Sequence, residues 1–310
     1  MFGLMFEMKL PDRTPLMGVK ADVIASKVCN VPRGLSSVDL AILQIKTVIG
    51  EGPDMAISCQ ALPLEISQSQ HQAREGEMKF SRFAIYYTPT PGPLADFGAR
   101  WLGWDMSRGQ ETPHPDLPGL PAKEISEVTQ NPRRYGFHAT IKPPFHLAQG
   151  ADAASLTHAF QRAAQERPPV TLPGLKLSRI GGFLALVVDG DQTPVAQLAG
   201  HMVATLDHFR APATDQELAR RRRAGLTPRQ EEMLLTWGYP YLFDEFRFHL
   251  TLTGKLDVDH AGRISSTLEP ILTPLLPCPF TIGDLTLVGE DAAGNFHEIS
   301  RIALGASGAV

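Results

Sequence analysis

Residues 134–142, RYGFHATIK, and residues 246–253, FRFHLTLT, carry one pattern twice: Phe-His-x-Thr inside a run that alternates polar and apolar side chains. Such a run reads as a β-strand, in which neighbours point to opposite faces and each residue rises about 3.3 Å. A His and a Thr two apart then share a face, roughly 6.6 Å from one another. In the second copy Arg247, His249, Thr251 and Thr253 line that face, while Phe246, Phe248, Leu250 and Leu252 fill the other. In the first, Arg134, Gly136, His138, Thr140 and Lys142 lie opposite Tyr135, Phe137, Ala139 and Ile141. The apolar faces suit packing onto a core, and the His/Thr/cation faces suit the wall of a wet cleft.

The repetition extends on both sides of the motif. The run FAIYY (83–87) leads through a turn to Pro93-Leu94-Ala95, and LALVV (184–188) leads at the same spacing to Pro194-Val195-Ala196. Proline fits the first turn of a helix, so each opens one, over Leu94–Leu102 and Val195–Phe209. The Phe-His-x-Thr motif follows in each half, in the second after a longer insertion. Helices are expected next over Ala151–Glu166 and Val258–Leu276, then two strands of pattern P-x-T-[LI]-x-x-L-x-L starting at Pro169 and Pro279, and further strands at Phe183 and Phe296. A duplicated strand–helix–strand–helix–strand order predicts an α+β fold of two pseudo-symmetric lobes, about 78–180 and 181–310. Each lobe is a small antiparallel-type sheet with helices outside, facing a central cleft that brings His138 and His249 together.

Residues 1–77 lie outside this duplication. A short helix is expected over Ser36–Ile49, and the segment reads as a poorly ordered N-terminal extension, with a fresh start at Met78. The chain of 310 residues is 43% hydrophobic, enough for a sizeable core, and its net charge of −4 gives no global basic field for long nucleic acid. Its three cysteines, Cys29, Cys59 and Cys278, are too few and too scattered for a disulfide framework or thiolate metal site. No apolar run approaches the roughly 18 residues of a membrane span, and the opening MFGLMFEMK does not read as a signal peptide. A cytoplasmic monomer without membrane attachment is expected.

Two imidazoles across a cleft suit general acid–base catalysis, because histidine titrates near neutrality. The ordinary alternative for each is a satisfied core histidine; a polar face shared with Thr and a cation favours chemistry. The hydroxyls of Thr140 and Thr251 can donate to the non-bridging oxygens of a phosphoryl group as charge grows there. Lys142 and Arg247 are either surface charges or partners that neutralise a phosphate. Arg220–Arg223 and Arg229 read as a solvated helix face with Glu217, Glu231 and Glu232 as partners, and Trp237, Tyr239 and Tyr241 as packing. Gly254-Lys255 lacks the preceding loop and the following Ser/Thr of a P-loop, and Asp257-Val-Asp259-His260 fits a helix start better than a metal site. No catalytic metal and no cofactor are expected.

The paired motifs, within the longer strings RRYGFHATIKPPF (133–145) and RRRAGLTPRQEEMLLTWGYPYLFDEFRFHLTLTG (221–254), resemble the 2H phosphoesterase superfamily over about residues 78–310. The particular resemblance is to a bacterial branch of uncharacterised proteins linked by name to phosphonate metabolism. It implies a metal-independent cyclic phosphodiesterase with His138 and His249 as acid and base, acting on a small phosphorylated metabolite such as a ribosyl cyclic phosphate. Other members of the superfamily imply an RNA-end 2′,3′-cyclic phosphate or 2′,5′ activity instead, and a non-catalytic phosphate-binding protein is a third reading. The 1–77 extension and an insertion of roughly 211–244 depart from the superfamily pattern. Because the matched repeats are complete without residues 1–77, a chain beginning at Met78 is expected to unfold cooperatively in a thermal melt; loss of cooperativity would show that the extension packs onto the duplicated region.

Overall fold

The computed structural model describes residues 79–305, together with the backbone of two short strands, Thr47–Val48 and Ser58–Cys59. The chain divides into Met1–Glu77 and Met78–Val310. In the first unit Thr47–Val48 pairs antiparallel with Ser58–Cys59, so the end of the helix expected over Ser36–Ile49 is extended instead. The rest of that expected helix, and Cys29, lie outside the described residues.

The second unit is built on a seven-stranded antiparallel sheet. Its strands are β1 (Arg82–Tyr87), β2 (Ala139–Phe145), β3 (Leu175–Ile180), β4 (Phe183–Val188), β5 (His249–Thr251), β6 (Asp284–Glu290) and β7 (Phe296–Ala303), in the order β7-β6-β1-β2-β5-β4-β3. The helices are α1 (Pro93–Leu102), α2 (Ala122–Arg133), α3 (Ala153–Gln165), α4 (Thr193–Thr205), α5 (Asp215–Arg222), α6 (Pro228–Trp237) and α7 (Val258–Leu272). Of these, α3 packs on β6 and β7, α4 on β2, and α7 on β3 and β4, closing the main core over one face of the sheet. Pro93 and Pro194 sit in the first turns of α1 and α4, where a missing N–H leaves no bond unmade. Asp152 caps α3 by accepting from the Ser155 N–H, and Asp257 caps α7 by accepting from the His260 N–H.

The duplication is visible in how the chain pairs with itself. Ala139 on β2 faces Leu250 on β5, its equivalent in the second motif. Thr171 likewise faces Thr281, its equivalent in the second P-x-T segment, in a small ladder of Val170–Leu172 with Phe280–Ile282. When a residue pairs with its own equivalent in the other repeat, a local two-fold axis runs through the pair. The two threonine hydroxyls meet on that axis at 3.1 Å. The lobes meet within the sheet through the single Ala139–Leu250 pair.

The division of strands between the lobes differs from the boundary expected at 180/181. Gly181 and Gly182 form a two-residue turn, with Gly181 at φ +57°, that holds β3 beside β4 in one hairpin. A cut there would split that hairpin, and β3 belongs with β4 and β5. The equivalent hairpin, β6–β7, sits beside β1. Each repeat thus sets the strand after its P-x-T segment against the first strand of the other, β3 on β4 and β6 on β1.

Helix α2, which sequence patterning does not reveal, ties this frame to the second motif. Pro132 in its last turn cannot donate to the Val128 carbonyl. The Gly254 N–H takes that acceptor at 2.7 Å, directly after the β5 segment, and Trp101 of α1 donates its indole N–H to the Leu252 carbonyl at 2.8 Å. Close by, Gly98 lets α1 lie against Phe137: a Cβ at that position would stand 2.0 Å from the Phe137 ring. Gly98→Ala is therefore expected to destabilise the protein by about 1–3 kcal/mol through overpacking. Gly262→Ala, in α7 with nothing within 4 Å of its Cβ position, should stabilise by roughly 0.5–1 kcal/mol. Thermal unfolding of the two variants should shift in opposite directions.

Candidate active site

The strands that carry the motifs are shorter than their alternation suggests. Arg134 caps the C-terminus of α2, and Gly136, at φ +68° with Met106 packed against it, turns the chain into β2; neither lies on a strand face with His138. What Gly136 contributes is its carbonyl, which accepts from His138 Nδ1–H at 2.9 Å. The second motif repeats the arrangement: His249 Nδ1–H donates to the Arg247 carbonyl at 2.8 Å. Gly136 and Arg247 hold the same place in the two copies of the motif. A carbonyl can only accept, so each ring is fixed with its proton on Nδ1 and its lone pair on Nε2 when neutral. At the first motif the Thr140 hydroxyl donates to His138 Nε2 at 3.1 Å.

The antiparallel register fixes the rest. Stepping one residue to either side of the Ala139–Leu250 pair brings His138 opposite Thr251 and Thr140 opposite His249. All four side chains are half-buried. Burial holds His138 down to about 4, with the charge of His249 acting in the same direction and the Gly136 carbonyl opposing both. Burial also lowers His249, against the pull of the Arg247 carbonyl. That burial lowers both imidazoles, and that one feels the other's charge, is the electrostatic signature of a shared site.

Lys142 is not part of it. Between β1 and β2 the register runs Ile85–Lys142 and then Tyr86–Thr140, so Ile141 is an extra residue in a β-bulge. A bulge inverts the alternation beyond it. Lys142 therefore turns to the helix side, is 2% exposed, and donates to the Val203 carbonyl at 3.1 Å and to Asp207 at 3.3 Å. Arg210 holds the same Asp207 carboxylate. Arg247 lies just outside β5 with its guanidinium exposed; its backbone, rather than its charge, holds His249.

Several neighbours of the histidines are not legible from the motifs. Tyr86, fully buried on β1, stacks on the His138 ring with centroids 3.7 Å apart and planes 21° apart. Tyr135 lies 6.3 Å from the same ring and accepts a hydrogen bond from Arg134. On the same sheet face Thr88 and Thr286 share a hydrogen bond at 2.7 Å, and Arg301 donates to the Thr88 hydroxyl and to Asp284. Tyr86 follows from the register Tyr86–Thr140, which no spacing in the sequence reveals.

The 211–244 insertion folds as α5 and α6, with capping boxes at Thr214 and Thr227. Arg222 pairs with Glu231, and Arg229 with Glu232 and Asp244, as a solvated charged face. Arg221 lies over the Tyr239 ring at 4.6 Å, Tyr239 packs edge-on with Tyr241, and Trp237 with Phe243. Among the described residues no three His, Cys, Asp or Glu side chains converge as a metal-binding group, and no helix is long and apolar enough to cross a membrane.

A family profile described as "Protein of unknown function (DUF1045)" matches residues 140–297, about half of the chain. Two curated relatives share the name ribose 1,5-bisphosphate phosphokinase PhnN. The one from Janthinobacterium sp. (strain Marseille) is 35% identical over 255 residues, 80% of this chain and 55% of the relative. That from Laribacter hongkongensis (strain HLHK9) is 36% identical over 177 residues, 57% of this chain and 40% of the relative. The chain thus spans about half the length of the curated relatives it matches, or less. Among solved structures, one titled as a phosphoesterase aligns at 13% identity with a TM-score of 0.34, covering 73% of this chain and 99% of that one. E. coli LigT complexed with NADP+ aligns at 14% identity with a TM-score of 0.34 and the same coverage.

Because Lys142 is buried behind the sheet and its ammonium is pushed down to about 8 by that burial, Lys142→Met is expected to leave any turnover at the histidine pair intact. Its stability profile gives a second readout. Between about pH 8 and 10.5 the unfolded lysine holds a proton that the folded one has lost, so wild-type stability gains from this residue as pH rises through that window. Denaturant melts across the window should show the gain in the wild type and not in the variant.

Proposed function

The chain belongs to the DUF1045 family, and we propose that it is a 2H-type phosphodiesterase, independent of metal, that opens a small cyclic phosphate using His138 and His249 as its acid–base pair. The observation that carries this reading is the matched anchoring of the two imidazoles. Each is held through Nδ1 by the carbonyl two residues before it, which directs Nε2 away from that carbonyl, and the register sets each histidine opposite the partner motif's threonine.

One Nε2 takes the proton of an attacking water as its oxygen bonds to phosphorus. The other, protonated, gives its proton to the ester oxygen that leaves as the P–O bond breaks. The products are a phosphomonoester and a free hydroxyl, and the two rings have exchanged protonation states, which solvent resets. Thr140 and Thr251 donate to the non-bridging oxygens, where negative charge grows in the transition state. Thr140 leaves His138 Nε2 when it does so, freeing that lone pair.

A ribosyl phosphate is the substrate class favoured by the family resemblance and by the relatives' name, which speaks of a ribosyl bisphosphate. Kinase chemistry itself is not supported in this chain, whose Gly254-Lys255 lacks a phosphate-cradling loop. A net charge of −4 weighs against a long RNA substrate. The deciding experiment is a turnover screen of cyclic phosphates, from ribose phosphates to short RNAs, with EDTA present throughout. Tight binding of a phosphate ester without turnover would replace the enzyme by a binding protein.

On a verified substrate, His138→Ala and His249→Ala should each lose about 10²–10⁴-fold in kcat, and the double variant less than the product of the two. Thr140→Val and Thr251→Val should cost on the order of 10–10³-fold. The active form carries one proton on the pair. It forms as pH rises past about 4, where His138 is free of its proton, and is lost as His249 deprotonates below its ordinary 6.5. A plot of kcat/KM against pH should therefore be bell-shaped with its maximum in the acid range, its limbs belonging to the pair. A flat profile, or a single histidine variant with wild-type turnover, would exclude the two-histidine mechanism.

A further inference from the structure

The backbone of the site is two-fold symmetric, but the walls behind the two histidines are not. Across β1–β2 the residue facing Thr140 is Tyr86; across β4–β5 the residue facing Thr251 is Ala185. Tyr86 lays its ring flat on the His138 imidazole, whereas Ala185 offers His249 no ring. Phe183 reaches His249 at 5.7 Å, tilted by 48°. The Tyr86 side chain is 0% exposed, and its hydroxyl is buried with no hydrogen-bond partner among the described residues. A polar atom left in that state is destabilising, so the ring is held there by its packing and not by its hydroxyl.

We propose that Tyr86 is a positioning residue that breaks the equivalence of the pair: its stacked ring keeps His138 unprotonated while His249 carries the shared proton, making His138 the base and His249 the acid. The assignment of base and acid rests on the phosphodiesterase reading above. The physical cause is the removal of water from one whole face of the His138 ring, which an imidazolium needs and a neutral imidazole does not. An opposing effect exists, since an aromatic face attracts a cation. The lowering of His138 to about 4, against a smaller lowering of His249, has the direction expected if lost hydration wins.

The other groups around His138 do not supply this asymmetry. Its Nδ1–H is held by the Gly136 carbonyl, which favours the charged form, and the second motif has the same bond. His249, across the axis, repels a proton from it. Tyr135 is 6.3 Å away with its oxygen taken by Arg134, Thr140 is neutral, and beyond Tyr86 the Arg82 and Glu290 charges neutralise one another.

The test needs no substrate. Imidazole ring signals of His138 and His249, assigned through single His→Gln variants, are followed by NMR across pH 3–9 in the full chain, in Tyr86→Phe and in Tyr86→Met. In the wild type His138 should titrate at least one pH unit below His249. Tyr86→Phe, which keeps the ring and removes the orphaned hydroxyl, should preserve that order. Tyr86→Met, which fills the space without a flat ring, should move His138 up by one unit or more and His249 by less. An unmoved or lowered His138 in Tyr86→Met would overturn the proposal, as would a wild-type His249 that titrates below His138. Should Tyr86→Met fail to fold, Tyr86→Leu, which also lacks the flat ring, is read in its place with the same expected and overturning outcomes. A chain with the expected order that turns over no cyclic phosphate would overturn the phosphodiesterase reading and leave the effect of Tyr86 on His138 standing.

Discussion

At Ala139 and Leu250 the two repeats touch as neighbouring strands, and the position of nearly every side chain in the site follows from that one register. Antiparallel pairing sets each histidine beside the other motif's threonine without any direct contact between the imidazoles being required. A slip of one residue in either strand would carry its histidine to the helix side and its apolar partner to the face the histidines now share. The register is protected from that slip by what lies behind it. Ala139 and Leu250 are both fully buried, and Phe137 and Phe248 flank them in the main core. Gly98 lets α1 press on the first of these rings, and the Gly254 N–H fastens the second motif to α2 through the carbonyl that Pro132 leaves open.

Symmetry of backbone and asymmetry of side chains then divide the work. The carbonyls of Gly136 and Arg247 treat the two imidazoles alike, fixing one tautomer in both. Behind them, one wall carries Tyr86, Thr88, Thr286 and Arg301, and the other Ala185, Val187 and Ser178. The two histidines thus stand against unlike walls, although the chain that built them is a repeat.

Much of this is legible in the sequence, and the exceptions have local causes. The prolines that open α1 and α4 and the aspartates that cap α3 and α7 act within one turn, so their effect can be read from neighbours alone. The matched P-x-T segments are paired with each other, as their equivalence implies. Strict alternation misplaces Lys142 because it runs on across Ile141, where a bulge adds a residue; the bulge is set by pairing with β1, which lies far back in the chain and is invisible to a local pattern. Helix α2 escapes the pattern because its flanking prolines and polar composition read as loop, and its acceptor at Val128 is satisfied only by Gly254, in the other repeat. Tyr86 reads as one more apolar residue of a core strand, since nothing nearby says that its ring meets a histidine.

The exchange of strands between the lobes has a further consequence. In each copy of the repeat, the strand following the P-x-T segment lies against the first strand of the other copy: β3 on β4, and β6, which also pairs with β7, on β1. Two separate copies would have to trade that strand to build this same sheet, as an isologous, strand-swapped homodimer. Gly181 and Gly182 link the two copies here by no more than a hairpin turn. The unlike walls of the site are what one continuous chain permits: a homodimer must present the same residue at both histidines, whereas a single chain can place tyrosine at one and alanine at the other.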